Sequence, residues 1–213
     1  MAGSVGSVRG LVFVASCPQN PKACHLDRSS EGPWHHPDEN ERRLWREAIK
    51  AEFRSMIKRG VWRKVKRSTI PNGKRCVKCK WVFKIKRDGR HKARLVACGY
   101  SQVPGVNFEE SYAPVLNDVA FRIILIAAIV WKLDIKVIDI ETAFLHGDLD
   151  GMEVYMDCPQ GLEGAQPDEC LLLQKTIYGL VQSARQYWKK FTGVLKKIGF
   201  QGGVIDPCLY VRR

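Results

Sequence analysis

Residues 77–86 and 92–100 form two alternating runs that flank Arg87-Asp88-Gly89-Arg90, and this feature constrains the chain most. Asp-Gly between two strand-like runs is a strong hairpin signal, because the mirror-image turns that join antiparallel strands need positive φ at their centre. The first run ends in Trp81-Val82-Phe83-Lys84-Ile85-Lys86, and Lys86, Arg87, Arg90, Lys92 and Arg94 surround the tip. A cationic hairpin of this kind can fold over the phosphates of a ligand, each contact being a charge-assisted hydrogen bond. Equally, it can be an edge hairpin whose charges keep it from pairing with other chains.

The second constraining stretch is residues 133–147. Ile135, Val137 and Ile138 alternate loosely with charged residues and predict a strand over 133–139, packed on one side. That strand leads into Asp139 and a turn-like Thr-Ala-Phe-Leu-His-Gly. A carboxylate at the end of a buried strand is costly to ionise unless a cation or hydrogen bonds compensate it. Magnesium, often shared with phosphates, is the simplest such cation for oxygen ligands. The competing reading is an Asp that caps the following segment.

Charge is distributed unevenly. The net charge is +13, yet residues 42–94 alone hold 21 Lys/Arg against 3 Asp/Glu, a local +18 that leaves −5 for the remainder. Such a block favours polyanions, nucleic acid first, or else is a solvated basic face. The eight cysteines lack the spacing of a secreted scaffold and read as mostly reduced, hence intracellular. Cys76 and Cys79 form a CxxC with no second pair, so they read as lying in or beside a strand; Cys17, Cys24, His25, His35 and His36 match no metal spacing. No signal peptide is evident. The longest apolar run, residues 119–131, is broken by Arg122 and falls short of the ~20 residues that span a bilayer.

Residues 1–37 are rich in Gly, Ser and Pro and read as a disordered or foreign leader. From residue 40 to about 59, Leu44, Trp45, Ala48, Ile49, Phe53 and Met56 recur near a 3.6 period: an amphipathic helix with a basic outer face, ended by Gly60. A short strand is expected at 61–65. Asn117 or Asp118 caps a helix to about Trp131 that is apolar on nearly all sides, which predicts burial. Further short strands are expected at 153–156, 169–175 and from 209. A basic helix is expected over 182–198, with Tyr187, Trp188, Phe191, Val194 and Leu195 inward. Strands and helices mix without βα alternation, so the class is α+β with an antiparallel sheet.

Six blocks occur in order: Lys80-Trp81-Val82-Phe83-Lys84, Lys92-Ala93-Arg94-Leu95-Val96-Ala97, Gly99-Tyr100-Ser101-Gln102, Ser111-Tyr112-Ala113-Pro114-Val115, residues 139–147, and Tyr178-Gly179-Leu180-Val181-Gln182-Ser183-Ala184-Arg185. Together they resemble the reverse transcriptase domain of copia-type LTR retrotransposon Pol polyproteins, over about residues 40–211. The resemblance implies a right-hand polymerase, with fingers over 38–115 and a partial palm over 116–213, its antiparallel sheet backed by helices. It implies that Asp139 ligates two magnesium ions, with the Ile140 carbonyl as a further ligand to one. Phe144 would be the aromatic gate beneath the nucleotide sugar. Arg94, with Lys86 or Arg87, would contact the triphosphate, and Tyr178 and Gly179 the incoming nucleotide and template. Lys84, Arg90, Lys92 and Arg185 would contact nucleic acid. The implied partners are an RNA or DNA template-primer, a deoxynucleoside triphosphate and the remainder of the Pol polyprotein; the implied setting is cytoplasmic particles or the nucleus, without a membrane. Nucleotidyl transfer needs two metals about 3.5–4 Å apart.

The chain departs from that pattern. No Asp-Asp pair exists in it, so the family's Tyr-x-Asp-Asp element is missing after Asp206-Pro207-Cys208-Leu209-Tyr210. Val181 stands where Lys is usual and Ala184 where Pro is usual, which loosens the start of the following helix. The expectation is a chain without polymerase activity of its own and with a sheet edge that favours aggregation. The alternatives are a non-catalytic nucleic-acid-binding module and a relic without function.

Overall fold

In the computed structural model, which describes residues 11–14, 34 and 36–212, the chain runs β1 (Leu11–Val14), α1 (Glu39–Lys58), β2 (Trp62–Lys66), β3 (Cys79–Ile85), β4 (His91–Ala97), α2 (Asp118–Val130), β5 (Tyr155–Met156), β6 (Glu169–Leu173), α3 (Ser183–Lys197), β7 (Gln201–Gly202) and β8 (Leu209–Arg212). Helices and antiparallel ladders mix, as an α+β chain requires. Four residues of the expected leader, Leu11–Val14, form the strand that pairs antiparallel with β8. Cys17, Cys24, His25 and His35 lie outside the described residues.

Asp38 starts α1: its carboxylate accepts from the N–H of Asn40 at 2.7 Å and of Glu41 at 3.4 Å, satisfying two of the donors a helix start leaves open. Gly60, at φ +60°, takes the left-handed conformation that turns the chain out of the helix. Trp45, Ile49 and Phe53 point at the hairpin, where Trp45 meets Phe83 edge-on at 5.2 Å and Phe53 meets Trp81 at 5.2 Å.

The hairpin forms at the Asp88-Gly89 signal, but Gly89 takes positive φ and Asp88 does not, so the turn is not the two-residue mirror-image type. β3 and β4 pair antiparallel from Cys79↔Ala97 to Ile85↔His91, and Gly89 has φ +78°. The register sorts the side chains by face. Trp81, Phe83 and Ala93 pack with α1, whereas Lys80, Val82, Lys84, Lys92, Arg94 and Val96 share the other face. The sheet β2-β6-β5 lies beneath, with Cys170, Leu171, Leu172 and Leu173 of β6 buried. One core joins Met56, Val77, Leu95, Leu145, Met156, Leu171 and Ile177, so residues from both sides of position 115 fill it.

Two expectations fail together. The helix α2 forms as expected, with Asn117 accepting from Val119 N–H at 2.9 Å, but only Ala128 of it is buried. Ile123, Ile126, Ile129 and Trp131 are all at least 60 % exposed. The strand expected over 133–139 does not form: Ile135, Val137 and Ile138 lie exposed outside any ladder. The causes are linked, because a strand needs a neighbour to take its N–H and C=O groups, and an apolar helix is buried only when a sheet face lies under it. Among the described residues nothing pairs with 133–139, so α2 has no sheet to cover. In α3, Val194 is half exposed rather than inward, while Tyr187 and Leu195 are buried. Among the described residues no helix is long and apolar enough to cross a membrane.

An apolar surface this continuous drives self-association. The purified chain should therefore bind a hydrophobic dye and scatter light, and Ile126→Lys combined with Ile129→Glu should reduce both. A monodisperse, dye-negative wild type would contradict the exposed face.

Candidate functional site

The Tyr178-Gly179 turn docks on the end of β4, and the docking requires glycine. Gly179 has φ +86°, and a Cβ there would meet the Ala97 carbonyl oxygen at 2.2 Å. Across the contact, a Cβ on Gly99 would meet the Gly179 carbonyl oxygen at 2.3 Å. With both side chains absent, Ala97 N–H donates to the Tyr178 carbonyl at 2.8 Å. The Tyr178 ring is thereby placed under Arg94, whose guanidinium carbon sits 5.3 Å from the ring centroid. That is cation–π range.

Two residues before that turn, Thr176 is fully buried and holds the acidic segment. Its hydroxyl donates to the Phe144 carbonyl, and its N–H to the Gly147 carbonyl at 3.0 Å. A Cβ on Gly147 would meet that hydroxyl at 2.4 Å. The 3-10 turn Ala143–His146 is fixed by these bonds, and Thr142 enters it at φ +52°, a strained conformation for a β-branched residue. Phe144 is buried, edge-on to Tyr178 at 5.5 Å and to Tyr187 at 6.2 Å. Asp139 is exposed and Ile140 half-buried, just ahead of this turn.

The electrostatics converge on β4. Lys84 and Lys92 stand directly opposite each other across the hairpin, a like-charge pair that weakens a ladder. Burial, then the charges of Arg94 and Lys86, push the Lys92 pKa below its usual range, while Glu52 and Glu141 oppose the shift. Glu52, on α1, is 7 % exposed, and burial raises its pKa against the pull of Lys92, Arg94, the Leu95 amide and Arg59. One Glu52 oxygen, Oε1, and the Nε atoms of Arg59 and Arg94 have no hydrogen-bond partner among the described residues. Burial also raises the Tyr178 pKa. The result is a cationic patch with an aromatic floor and one buried acid behind it, a surface suited to polyphosphate.

The site thus gathers Lys92, Arg94, Tyr178, Gly179 and Phe144, with Glu141 and the Asp139-Ile140 segment alongside. Lys86 stands within electrostatic reach of Lys92, and Arg87 is exposed at the tip. Two predicted residues are occupied elsewhere. Arg90 donates through Nε to Asp88 at 2.7 Å, and Arg185 pairs with Glu110 and donates to the Tyr112 carbonyl at 3.1 Å. Among the described residues no three His, Cys, Asp or Glu side chains come together to hold a metal ion. Sequence reasoning missed Glu52 and Thr176. Glu52 had a signal, since it falls within the apolar ridge of α1 between Ile49 and Met56.

Fold and site together set a cationic hairpin face beside an acidic turn in an α+β chain. The family model for reverse transcriptase (RNA-dependent DNA polymerase) matches residues 59–213. The chain belongs to that family. It is 40 % identical over 184 residues to the retrovirus-related Pol polyprotein from transposon TNT 1-94 of Nicotiana tabacum, covering 84 % of this chain and 13 % of that protein. To the polyprotein from transposon RE2 of Arabidopsis thaliana it is 36 % identical over 173 residues, 78 % of this chain and 12 % of that one. To the Ty1-DR5 Gag-Pol polyprotein of Saccharomyces cerevisiae it is 30 % identical over 198 residues, 86 % and 11 %. The chain spans at most 13 % of the length of these relatives. It is a copia-type reverse transcriptase domain. No solved structure matches it.

Gly179→Ala should cost about 2–4 kcal/mol, combining the left-handed penalty with a backbone clash, and urea unfolding would measure it. A loss under about 0.5 kcal/mol would contradict the close approach. Glu52 has a raised pKa, so its favourable contribution is full below its ordinary 4.5 and is lost as pH rises through the raised value. Glu52→Gln should therefore gain stability relative to wild type as pH rises above 4.5 through the raised value. A pH-independent difference in urea midpoints would contradict that.

Proposed function

We propose that this chain forms the nucleotide-binding face of an RNA-directed DNA polymerase of right-hand architecture. Residues 38–115 form the fingers, and residues from 116 begin the palm. The single observation that carries the reading is the shared face of β4. Arg94 lies over Tyr178, Lys92 stands beside it, and the turn bearing Phe144 and Glu141 closes the other side. The triphosphate of an incoming deoxynucleotide binds Lys92 and Arg94, with Lys86 or Arg87 added from the tip, and its sugar rests towards Tyr178 and Phe144. Fixed cations opposite the phosphates hold the leaving group in place without reorganising.

Magnesium accompanies such a nucleotide in this family. Asp139 and the Ile140 carbonyl are two oxygen donors; one Mg2+ ion keeps about six, and a two-ion centre needs further carboxylates. The donors present do not fit two ions, in keeping with the absence of an Asp-Asp pair from the sequence. Template-primer, and the rest of a Pol polyprotein in an intracellular setting, are the partners this reading requires. The chain alone binds nucleotide and does not extend a primer.

Calorimetric titration with dTTP tests the reading. Arg94→Gln and Lys92→Gln should each weaken binding about 10–100-fold, corresponding to about 1.5–3 kcal/mol per charged hydrogen-bonding group. The same preparation should show no magnesium-dependent primer extension. Unchanged affinity in both variants would overturn the proposed site, and extension abolished by Asp139→Ala would overturn the claim of inactivity.

A further inference from the structure

A buried carboxylate stands behind the cationic face, on the far side of β4 from a ligand at its front. Glu52 lies on α1 between Ile49 and Met56 and is 7 % exposed. Ile49 and Phe53 share a buried cluster with Ala93, and Met56 shares one with Leu95. Glu52 therefore meets β4 between Ala93 and Leu95, behind the strand that carries Lys92 and Arg94 on its other face. Its Oε1 has no hydrogen-bond partner among the described residues. Two opposed effects set its charge. Burial favours the neutral acid, while the cations of Lys92, Arg94 and Arg59, with the Leu95 amide, favour the carboxylate. Tyr178 faces the same carboxylate, and burial keeps its phenol protonated. Lys86 and Glu141 act on Lys92, from the hairpin tip and from the acidic turn.

We propose that Glu52 is a positioning residue coupled to a proton: ionised, it is the counter-charge of Lys92 and Arg94 in the free chain, and it takes up a proton from solvent when a nucleoside triphosphate binds them. The cations on the front of β4 are what hold the buried carboxylate in its charged form. A triphosphate brings a larger negative charge to the same cations, so their pull on Glu52 is cancelled while its burial is not. The balance then favours the acid: one carboxylate and one proton give one carboxylic acid, and no bond of the ligand changes. A neutral Glu52 leaves the positive charge of Lys92 and Arg94 to the phosphates, whereas an ionised one competes for it. A carboxylate with a purely structural role would have both oxygens bonded, and Oε1 is not. Lys92 is a second group that gains protons beside phosphate, because burial and Arg94 push its pKa down in the free chain. The inference rests on the reading that the Lys92–Arg94 face binds the triphosphate.

Calorimetric titration of the full chain with dTTP counts the protons exchanged, when it is run in buffers of different ionisation enthalpy between pH about 5.5 and about 8.5. Glu52→Gln is the comparison protein, with circular dichroism to show an unchanged fold, and Glu52→Asp keeps a titrating group at the position. Lys92 and the terminal phosphate of dTTP titrate with every protein, so the difference belongs to residue 52. Wild type should take up more protons than Glu52→Gln, the excess approaching about one per nucleotide, and Glu52→Asp should retain part of it. Affinity follows the same linkage, since a proton taken up on binding weakens it about tenfold per pH unit. dTTP should therefore bind Glu52→Gln about tenfold or more tighter than wild type at the alkaline end and equally at the acid end. Weakening of the variant by the same factor at every pH would show a merely structural role and overturn the inference. Equal proton counts in wild type and Glu52→Gln would overturn the inference alone. Absence of dTTP binding to all three proteins would overturn the nucleotide-site reading, and the inference with it.

Discussion

The close approach of Gly179 to Ala97 and Gly99 is the contact on which the rest of the site depends. It brings the turn after β6 onto the end of β4 with two Cβ atoms missing, and it leaves the Tyr178 carbonyl to accept the Ala97 N–H. From that one junction the Tyr178 ring reaches Arg94 on one side and Phe144 on the other. Thr176, on the same four-residue stretch, fixes the carbonyls of Phe144 and Gly147. A hairpin near residue 90 and an acidic turn near residue 140 are thus tied to one another through residues 176–179, without a strand pairing between them.

The electrostatics of that junction run against folding. Lys84 opposite Lys92, with Arg94 next along β4, concentrates like charge on one face of the hairpin. The nearest compensating acid, Glu52, is buried and itself raised in pKa. A half-satisfied polar cluster of this kind weakens the folded state. In the proposed reading, the negative charge of a bound triphosphate offsets the repulsion among Lys84, Lys92 and Arg94.

Local signals in the sequence were legible where local chemistry decides. Asp-Gly specified the hairpin, Asn117 capped α2 and Gly60 ended α1. What failed was anything that depended on a partner. Alternating Ile135, Val137 and Ile138 state a preference for strand, but a ladder needs a second backbone, and the burial of α2 in turn needs that ladder. The structure brings Arg94, Tyr178 and Phe144 into contact, and it pairs Arg90 with Asp88 and Arg185 with Glu110 by side-chain geometry that spacing does not encode. Lys92, expected to contact nucleic acid, shares the face of Arg94 because strand alternation places 92 and 94 on one side.

Amide hydrogen exchange with and without dTTP tests the coupling of junction and site most directly, since it reads both in one experiment. Bound nucleotide should slow exchange across 91–97, including the Ala97 amide that bonds Tyr178, and across 141–147, with α2 unchanged. Protection confined to α2 or to the segment after 200, with 91–97 exchanging at the same rate, would contradict it.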